Sequence, residues 1–399
     1  MWKPINKSNK CIEYKLTEIA DALYNYQFSS EDIGLMDGKT GVALFFYYYH
    51  MYTKNAKFLN KANELIYADF DSINNGFRIS SYSEGISGIL FTLSILNAEK
   101  IITIDKNEIL TPFNLFLKDC IIKEFKNNNY DYLHGALGYC INFLDGDTDI
   151  DIVDYIYEEL ERISDDYEEK GCAWKWTNTI SKQTGYNLSL SHGIPSIIYF
   201  LSKIYLICSD KASAYDLLSK AIIYLNSNMQ PFHKNGSYFS GWVKDNNEIE
   251  KSRLAWCYGD MGIAFSLWQA GVNTFTQKWK DLAVEIMLHS ATRRDIVNEG
   301  VKDAGLCHGS SGVGFMFSKM YNYTNRLEFK EAANFWLNET MKFANSGNGL
   351  VNITTYRTIA NGDEINDPFF LKGIAGTGLF LLSAISEIEP VWDRTLLLS

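Results

Sequence analysis

Two kinds of apolar pattern alternate along the chain. In the first, apolar residues recur at i, i+3, i+4, i+7 with polar residues between them. Ala214, Leu217, Leu218, Ala221, Ile222 and Leu225 do so in one segment, and Phe329, Ala332, Ala333, Trp336 and Leu337 in another. That spacing predicts an amphipathic helix with one buried stripe. In the second, a glycine-containing turn opens directly into a run that is apolar on most faces, as a helix packed on both sides would be.

The second pattern repeats. GLMDGKTGVALF from Gly34, SYSEGISGILF from Ser81, YLHGALGYCINFL from Tyr132 and LSHGIPSIIYFL from Leu190 share it with WCYGDMGIAFSL from Trp256, LCHGSSGVGFMFS from Leu306 and FLKGIAGTGLFLL from Phe370. The common core is glycine, two residues, glycine, then the apolar run. The leading glycines are Gly38, Gly85, Gly135, Gly193, Gly259, Gly309 and Gly373, at intervals of 47, 50, 58, 66, 50 and 64 residues. In the fourth unit Ser196 replaces the second glycine. Each unit reads as an amphipathic helix, a glycine-containing loop and an apolar helix. Glycine there suits a positive φ or a close backbone approach.

Seven such units form an open array or a ring. Open arrays end in polar caps, but the last unit, Phe370 to Ile385, is as apolar as the middle ones. The expectation is therefore an all-α fold, an α/α toroid of seven inner and seven outer helices, forming one domain over residues 1–399. Polar loops near 165–186, 228–251 and 345–367 each precede a motif and are expected at one rim.

Composition narrows the function classes. The 399 residues are 46% hydrophobic and 15% aromatic, with 28 Gly and 6 Pro, which excludes a disordered chain. A net charge of −11 and no dense Lys/Arg run argue against nucleic acid as a partner. No apolar stretch has the roughly 18 residues of a membrane span, and the first ten residues have no apolar signal core. The expected location is cytoplasmic, with peripheral membrane association open. Seven cysteines without a CxxC pair give no disulfide framework.

The chemistry-bearing residues fall in two columns of the repeat. Just before the leading glycines stand Asp37, Glu84, His134, His192, Tyr258, His308 and Lys372; one place earlier stand Met36, Ser83, Leu133, Ser191, Cys257, Cys307 and Leu371. In a ring these positions converge on one end. Cys257, Cys307 and His308 have the ligand types of a zinc site with an open fourth position. The competing reading makes the cysteines core residues and His308 a helix cap; the shared register favours the metal.

The sequence resembles the lanthionine synthetase C-like family, the lanthipeptide cyclases. AWCYGDMG and LCHGSSGVG are similar to its two zinc-ligand motifs and LSLSHG to its histidine motif, and the glycine pattern spans roughly Gly34 to Ile385. The resemblance implies an α/α toroid with Zn2+ held by Cys257, Cys307 and His308. It implies His192 as the acid/base histidine, and Asp131, Arg253 and Tyr258 as further site residues. His134 has no fixed counterpart, and Ser196 departs from the pattern.

The implied reaction adds a peptide Cys thiol to dehydroalanine or dehydrobutyrine. A free thiol has a pKa of about 8.5, and zinc would lower it. His192 would protonate Cα, Asp131 would orient His192, Arg253 would stabilise the enolate or orient Asp131, and Tyr258 would donate a hydrogen bond. Trp174, Trp176 and Trp242 in the rim loops either contact the peptide or pack the loops. The expected partners are a dehydrated precursor peptide, a separate dehydratase, since the length leaves no room for a fused one, and an export transporter. The alternatives are an enzyme adding glutathione or another thiol to dehydroamino acids, and a non-catalytic peptide-binding scaffold.

Overall fold

The computed structural model describes residues 1–7, 9–144, 149–177, 182, 184–243, 250–346, 349–358 and 364–399. The three expected rim loops each extend partly outside these residues. Sixteen α-helices occur among the described residues. Seven follow the leading glycines directly: α2 (Lys39–Thr53), α4 (Ile86–Ala98), α7 (Ala136–Leu144), α9 (Ile194–Ile207), α12 (Asp260–Asn273), α14 (Ser310–Thr324) and α16 (Ile374–Ile385). Seven more are the amphipathic partners: α1 (Lys10–Asn25), α3 (Ala56–Asn74), α6 (Asn114–Lys126), α8 (Ile150–Arg162), α10 (Lys211–Ser227), α13 (Gln277–Thr292) and α15 (Leu327–Ser346). The short α5 (Lys106–Ile109) and α11 (Phe232–Asn235) complete the set.

Burial follows the two patterns. Every residue of α16 is buried, as are Lys39–Tyr49 of α2 and Ser310–Met320 of α14. In α10 the buried set contains the whole predicted stripe, Ala214 to Leu225, and the stripe of α15 is at most 1% exposed. Each fully buried Leu, Phe or Ile contributes about 1.5–3 kcal/mol, so tertiary packing rather than helix propensity holds these segments helical.

The chain forms two compact units. The first comprises Met1–Ile79, Ser83–Thr92 and Ala291–Trp392; the second comprises Ser80–Tyr82, Leu93–Ser290 and Asp393–Ser399. In the first, α2 packs on α3, α14 on α15, and α16 on α1, α2 and α14. The first and last repeats are thus direct neighbours. Their turns are joined too: Leu371 donates its N–H to Met36 O at 3.0 Å, Met36 to Ser83 O at 2.8 Å, and Leu306 and Cys307 to Leu371 O at 3.0 and 2.9 Å. In the second unit α9 packs on α7, α8, α10 and α12. Leu190 there donates to Cys257 O at 3.0 Å, and Ser189 bridges Tyr258. The tight hairpins in α2–α3, α9–α10 and α14–α15 join an inner helix to the outer helix that follows it, rather than the one before. Their connections are only two or three residues long.

The glycines act by close approach. Among the seven leading glycines Gly259 alone has a positive φ, at 98°. At Gly193, Gly309 and Gly373 a Cβ would lie 2.0–2.3 Å from an atom of the residue six positions earlier, Asn187, Asp303 or Asp367. Those three side chains accept the N–H two residues on, at 2.9, 2.8 and 2.7 Å, closing Asx turns. Ser196 takes the second glycine's place by folding its hydroxyl onto Gly193 O at 2.7 Å, and α9 starts on schedule with Pro195 in its first turn.

The rim loops carry small sheets that the helical pattern does not reveal. β1 (Asp165–Asp166) pairs with β2 (Cys172–Ala173), while β3 (Lys175–Thr177), β4 (Thr184–Asn187) and β5 (Trp242–Val243) form an antiparallel sheet. That sheet knits two rim loops of the second unit together. Asp260, at the start of α12, anchors the later loop by accepting Tyr238 and Phe239 N–H groups, each at 3.0 Å. In the first unit β6 (Tyr356–Thr358) pairs with β7 (Glu364–Asn366). All seven cysteines are free thiols.

At Gly312 a Cβ would sit 1.8 Å from Leu306 O, so backbone must move. Gly312→Ala is expected to lower unfolding free energy by about 2 kcal/mol or more. Urea denaturation followed by circular dichroism measures this, and an unchanged midpoint would contradict the close-approach role.

Candidate functional site

In the second unit a carboxylate and an imidazole meet. Asp131, 4% exposed, lies in the turn before α7. Its Oδ1 accepts the N–H groups of Leu133 and His134 at 2.8 and 2.9 Å. Its Oδ2 accepts Nδ1–H of His192 at 2.7 Å and Nε1–H of Trp176 at 2.9 Å. Burial alone would raise the Asp131 pKa, but the His192 charge and hydrogen bond, with further help from His134, hold it below the usual carboxylate range. Burial works against the charged imidazole of His192; the Asp131 carboxylate and the Cys257 sulfur outweigh it and raise the pKa. With Nδ1 committed to Asp131, Nε2 is the ring nitrogen left for chemistry.

The hairpin supplies a wall that the sequence reading left open. Trp176 packs on His192 at 5.5 Å between ring centroids and on Trp242 at 5.3 Å. Gly185, opposite Trp176 in the β3–β4 register, lets the Trp242 ring lie close: a Cβ there would be 3.3 Å from it. Trp174 instead packs the loop down, fully buried with Nε1 on Leu160 O at 2.7 Å. Tyr258 accepts a hydrogen bond from Asn187 Nδ2 at 3.4 Å, and burial raises its phenol pKa. A cavity of about 770 Å³ opens over Asp131, His192, Trp176, Tyr258 and His134. The His134 ring lies nearly parallel to that of His192, at 6.3 Å and 17°.

The sulfur and imidazole candidates sit in the predicted turns. Cys257 is 5% exposed, and Arg253 directs its guanidinium at Cys257 Sγ, 3.7 Å away. Asp131 is not among the partners of Arg253. In the first unit Cys307 is 8% exposed, in the turn that leads into α14. His308 Nε2 stands 3.8 Å from Asp303 Oδ2, and its buried Nδ1 has no hydrogen-bond partner. Cys257, Cys307 and His308 form a possible metal-binding group, their ligand atoms within 4.8 Å of one another.

That donor set fits zinc. Two sulfurs at about 2.3 Å in tetrahedral geometry stand roughly 3.8 Å apart, so shifts on the order of 1 Å would complete the site. An orphaned buried ring nitrogen is costly without a partner, and a carboxylate behind the opposite nitrogen is the usual backing of a histidine ligand.

The comparisons with known proteins bear on the whole chain. A family model described as lanthionine synthetase C-like protein matches residues 29–397. The chain belongs to the lanthionine synthetase C-like family. Among solved structures, nisin cyclase matches with a TM-score of 0.76 at 17% identity, covering 98% of both chains. That likeness carries the fold, an all-α α/α toroid as the repeat predicts. A sugar epimerase from a ruminal bacterium (TM-score 0.46, 11% identity, 95% and 98% covered) and an α-1,6-mannanase of Salegentibacter sp. HEL1_6 (0.47, 12%, 94% and 98%) are too distant to bear on function. No helix among the described residues is long and apolar enough to cross a membrane.

Sequence reasoning left Trp176 open between contacting the peptide and packing its loop, and passed over Asn187 and Asp303. A register signal existed for the last two: the position six before each leading glycine reads Asp32, Ile79, Asn129, Asn187, Arg253, Asp303 and Asp367.

The raised His192 pKa means its charged form persists to higher pH than an ordinary histidine near 6.5. Asp131→Asn removes the charge that offsets burial, so the midpoint should fall below that value. Titration of the His192 ring by heteronuclear NMR reads this directly. Equal midpoints in wild type and variant would mean that the pair is not electrostatically coupled.

Proposed function

We propose that the protein is a zinc-dependent lanthipeptide cyclase, forming lanthionine and methyllanthionine thioethers in a dehydrated precursor peptide. The observation that carries this reading is the 2.7 Å Asp131–His192 pair on the wall of a cavity, in a family member that also has the Cys257, Cys307 and His308 donor set. A purely scaffolding role gives no reason for a buried imidazole–carboxylate pair beside three metal-type ligands.

Cys257, Cys307 and His308 would hold the zinc, with Asp303 orienting His308. When bound, zinc supplies the Lewis acidity that makes an incoming thiol acidic near neutral pH. The chain's own residues do the rest. The peptide sulfur adds to Cβ of dehydroalanine or dehydrobutyrine, and the π electrons move onto the carbonyl as an enolate. Cα then takes a proton from Nε2 of His192, while Asp131 keeps the ring oriented through Nδ1. The thiol releases its proton to water and His192 Nε2 regains one from water after protonating Cα, so the addition as a whole is proton-neutral. Arg253 supports negative charge on the Cys257 sulfur. Tyr258 is held toward the cavity by Asn187, where its hydroxyl can donate to the enolate oxygen. Trp176 fixes Asp131 and shields the pair from water.

Residues 1–399 serve as a single cyclase domain. The dehydroamino acids come from a separate dehydratase, and the finished peptide leaves through an export transporter, so the enzyme works in the cytoplasm or peripherally in a membrane-associated complex.

Incubation with a dehydrated precursor, followed by thiol alkylation and mass spectrometry, tests the reading. Wild type should consume one free thiol per ring. Cys307→Ala and His192→Asn should each slow consumption by about 100-fold or more. Thiol loss at the same rate in wild type and both variants would refute it. Cys307→Ala should also purify with less than half the zinc of wild type; equal zinc content would remove Cys307 from the ligand set.

A further inference from the structure

The cavity beside the Asp131–His192 pair has a charge pattern that addition of a thiol to an alkene does not require. Lys175, Lys182, His134 and His192 line it, against one carboxylate, Asp131. Both Asp131 oxygens are already engaged by His192, Trp176 and two backbone N–H groups. Lys175 has an acidic neighbour, Asp165 Oδ2 at 3.3 Å, but the two side chains are 60% and 37% exposed, so water screens that pair heavily. Lys182 has no acidic partner among the described residues. Asn127 and Asn128 line the same cavity. Two lysines at the mouth of one cavity, in a chain of net charge −11, are a feature that attracts anions. Trp176, which also lines the cavity, is pinned through Nε1 and packs against His192 and Trp242.

We propose that this basic wall of Lys182, Lys175 and His134 is a carboxylate subsite. It holds an Asp or Glu side chain of the substrate peptide, or the peptide's C-terminal carboxylate, beside the residue that undergoes addition. Occupied in this way, the wall and the Trp176 side of the cavity fix the peptide at two points. The subsite therefore selects which dehydroamino acid faces His192. This rests on the cyclase reading for what the cavity binds, but not for whether it binds carboxylates.

Binding is measured separately from chemistry. Three fluorescein-labelled peptides of one sequence, with Ser in place of the dehydro residue and of Cys, carry an internal Glu with an amidated C-terminus, an internal Gln with a free C-terminus, or Gln with an amidated C-terminus. Fluorescence anisotropy with the full-length, zinc-loaded protein at low ionic strength should show one or both carboxylate peptides binding about three- to tenfold tighter than the neutral one. The gap should close in 0.5 M salt. The tighter of the two identifies the carboxylate source. Lys182→Glu combined with Lys175→Glu should abolish the preference, while the double variant Lys234→Glu, Lys278→Glu, which makes the same change in net charge at exposed sites elsewhere, should keep it. Equal binding of all three peptides, no binding of any, or a preference that survives the Lys182/Lys175 double variant would overturn the subsite. Thiol consumption by wild type in the presence of such a result would leave the cyclase reading standing, so the two fail separately.

Discussion

The structure depends on one backbone constraint, repeated along the chain. At the entry to an inner helix the chain doubles back so tightly that the leading glycine touches the residue six positions before it. At Gly309 the contact is to Asp303 and at Gly373 to Asp367, both distances too short for any side chain. The Asx turn formed by the earlier residue satisfies the backbone N–H groups that this tight path would otherwise strand. The residues caught in the turn, just ahead of the glycine, cannot enter the helix and cannot point into its packed sides. The same two columns of the turn hold the candidate residues His192, Tyr258, Cys257, Cys307 and His308.

Neighbouring turns then bind one another. Leu306 and Cys307 donate to Leu371, Leu371 to Met36 and Met36 to Ser83 in the first unit, and Leu190 donates to Cys257 in the second. Cys257 and Cys307 are thus held by their own backbones as well as by their side chains. That is what a site needs if it is to hold reacting groups to within a fraction of an ångström. Two of the variations on this rule involve candidate site residues. Arg253 replaces the Asx residue of its turn, Gly259 compensates with a positive φ, and the freed guanidinium reaches Cys257 Sγ. Asp131 lies two residues past the Asn129 of its turn and spends its second oxygen on His192 and Trp176.

Much of this was legible in the sequence, for a physical reason. Glycine at a position where no Cβ fits is an obligatory choice, so its spacing reports the fold directly. The seven inner helices, the buried stripe of α10 and the grouping of Cys257, Cys307 and His308 could all be read from that register. Contacts made by loops could not. Trp174 and Trp176 are two residues apart in one polar segment, yet one plugs the core and the other covers the Asp131–His192 pair; only the β3–β4 pairing separates them. Nor does local pattern reveal the path of the last residues. Thr395, Leu396 and Leu398 offer carbonyls to Tyr132, Trp256 and Gln269, so the chain's final segment is stitched to the residues next to Asp131 and Cys257.

The central claim is that Cys257, Cys307 and His308 hold one zinc ion that leaves a position open for a substrate thiol. X-ray absorption at the zinc K-edge tests it most directly. The account predicts two sulfur scatterers near 2.3 Å and a histidine nitrogen near 2.0 Å, with a light fourth ligand, and a third sulfur on addition of a cysteine-containing precursor peptide. A zinc shell made only of oxygen and nitrogen, or a two-sulfur shell that the peptide leaves unchanged, would contradict it.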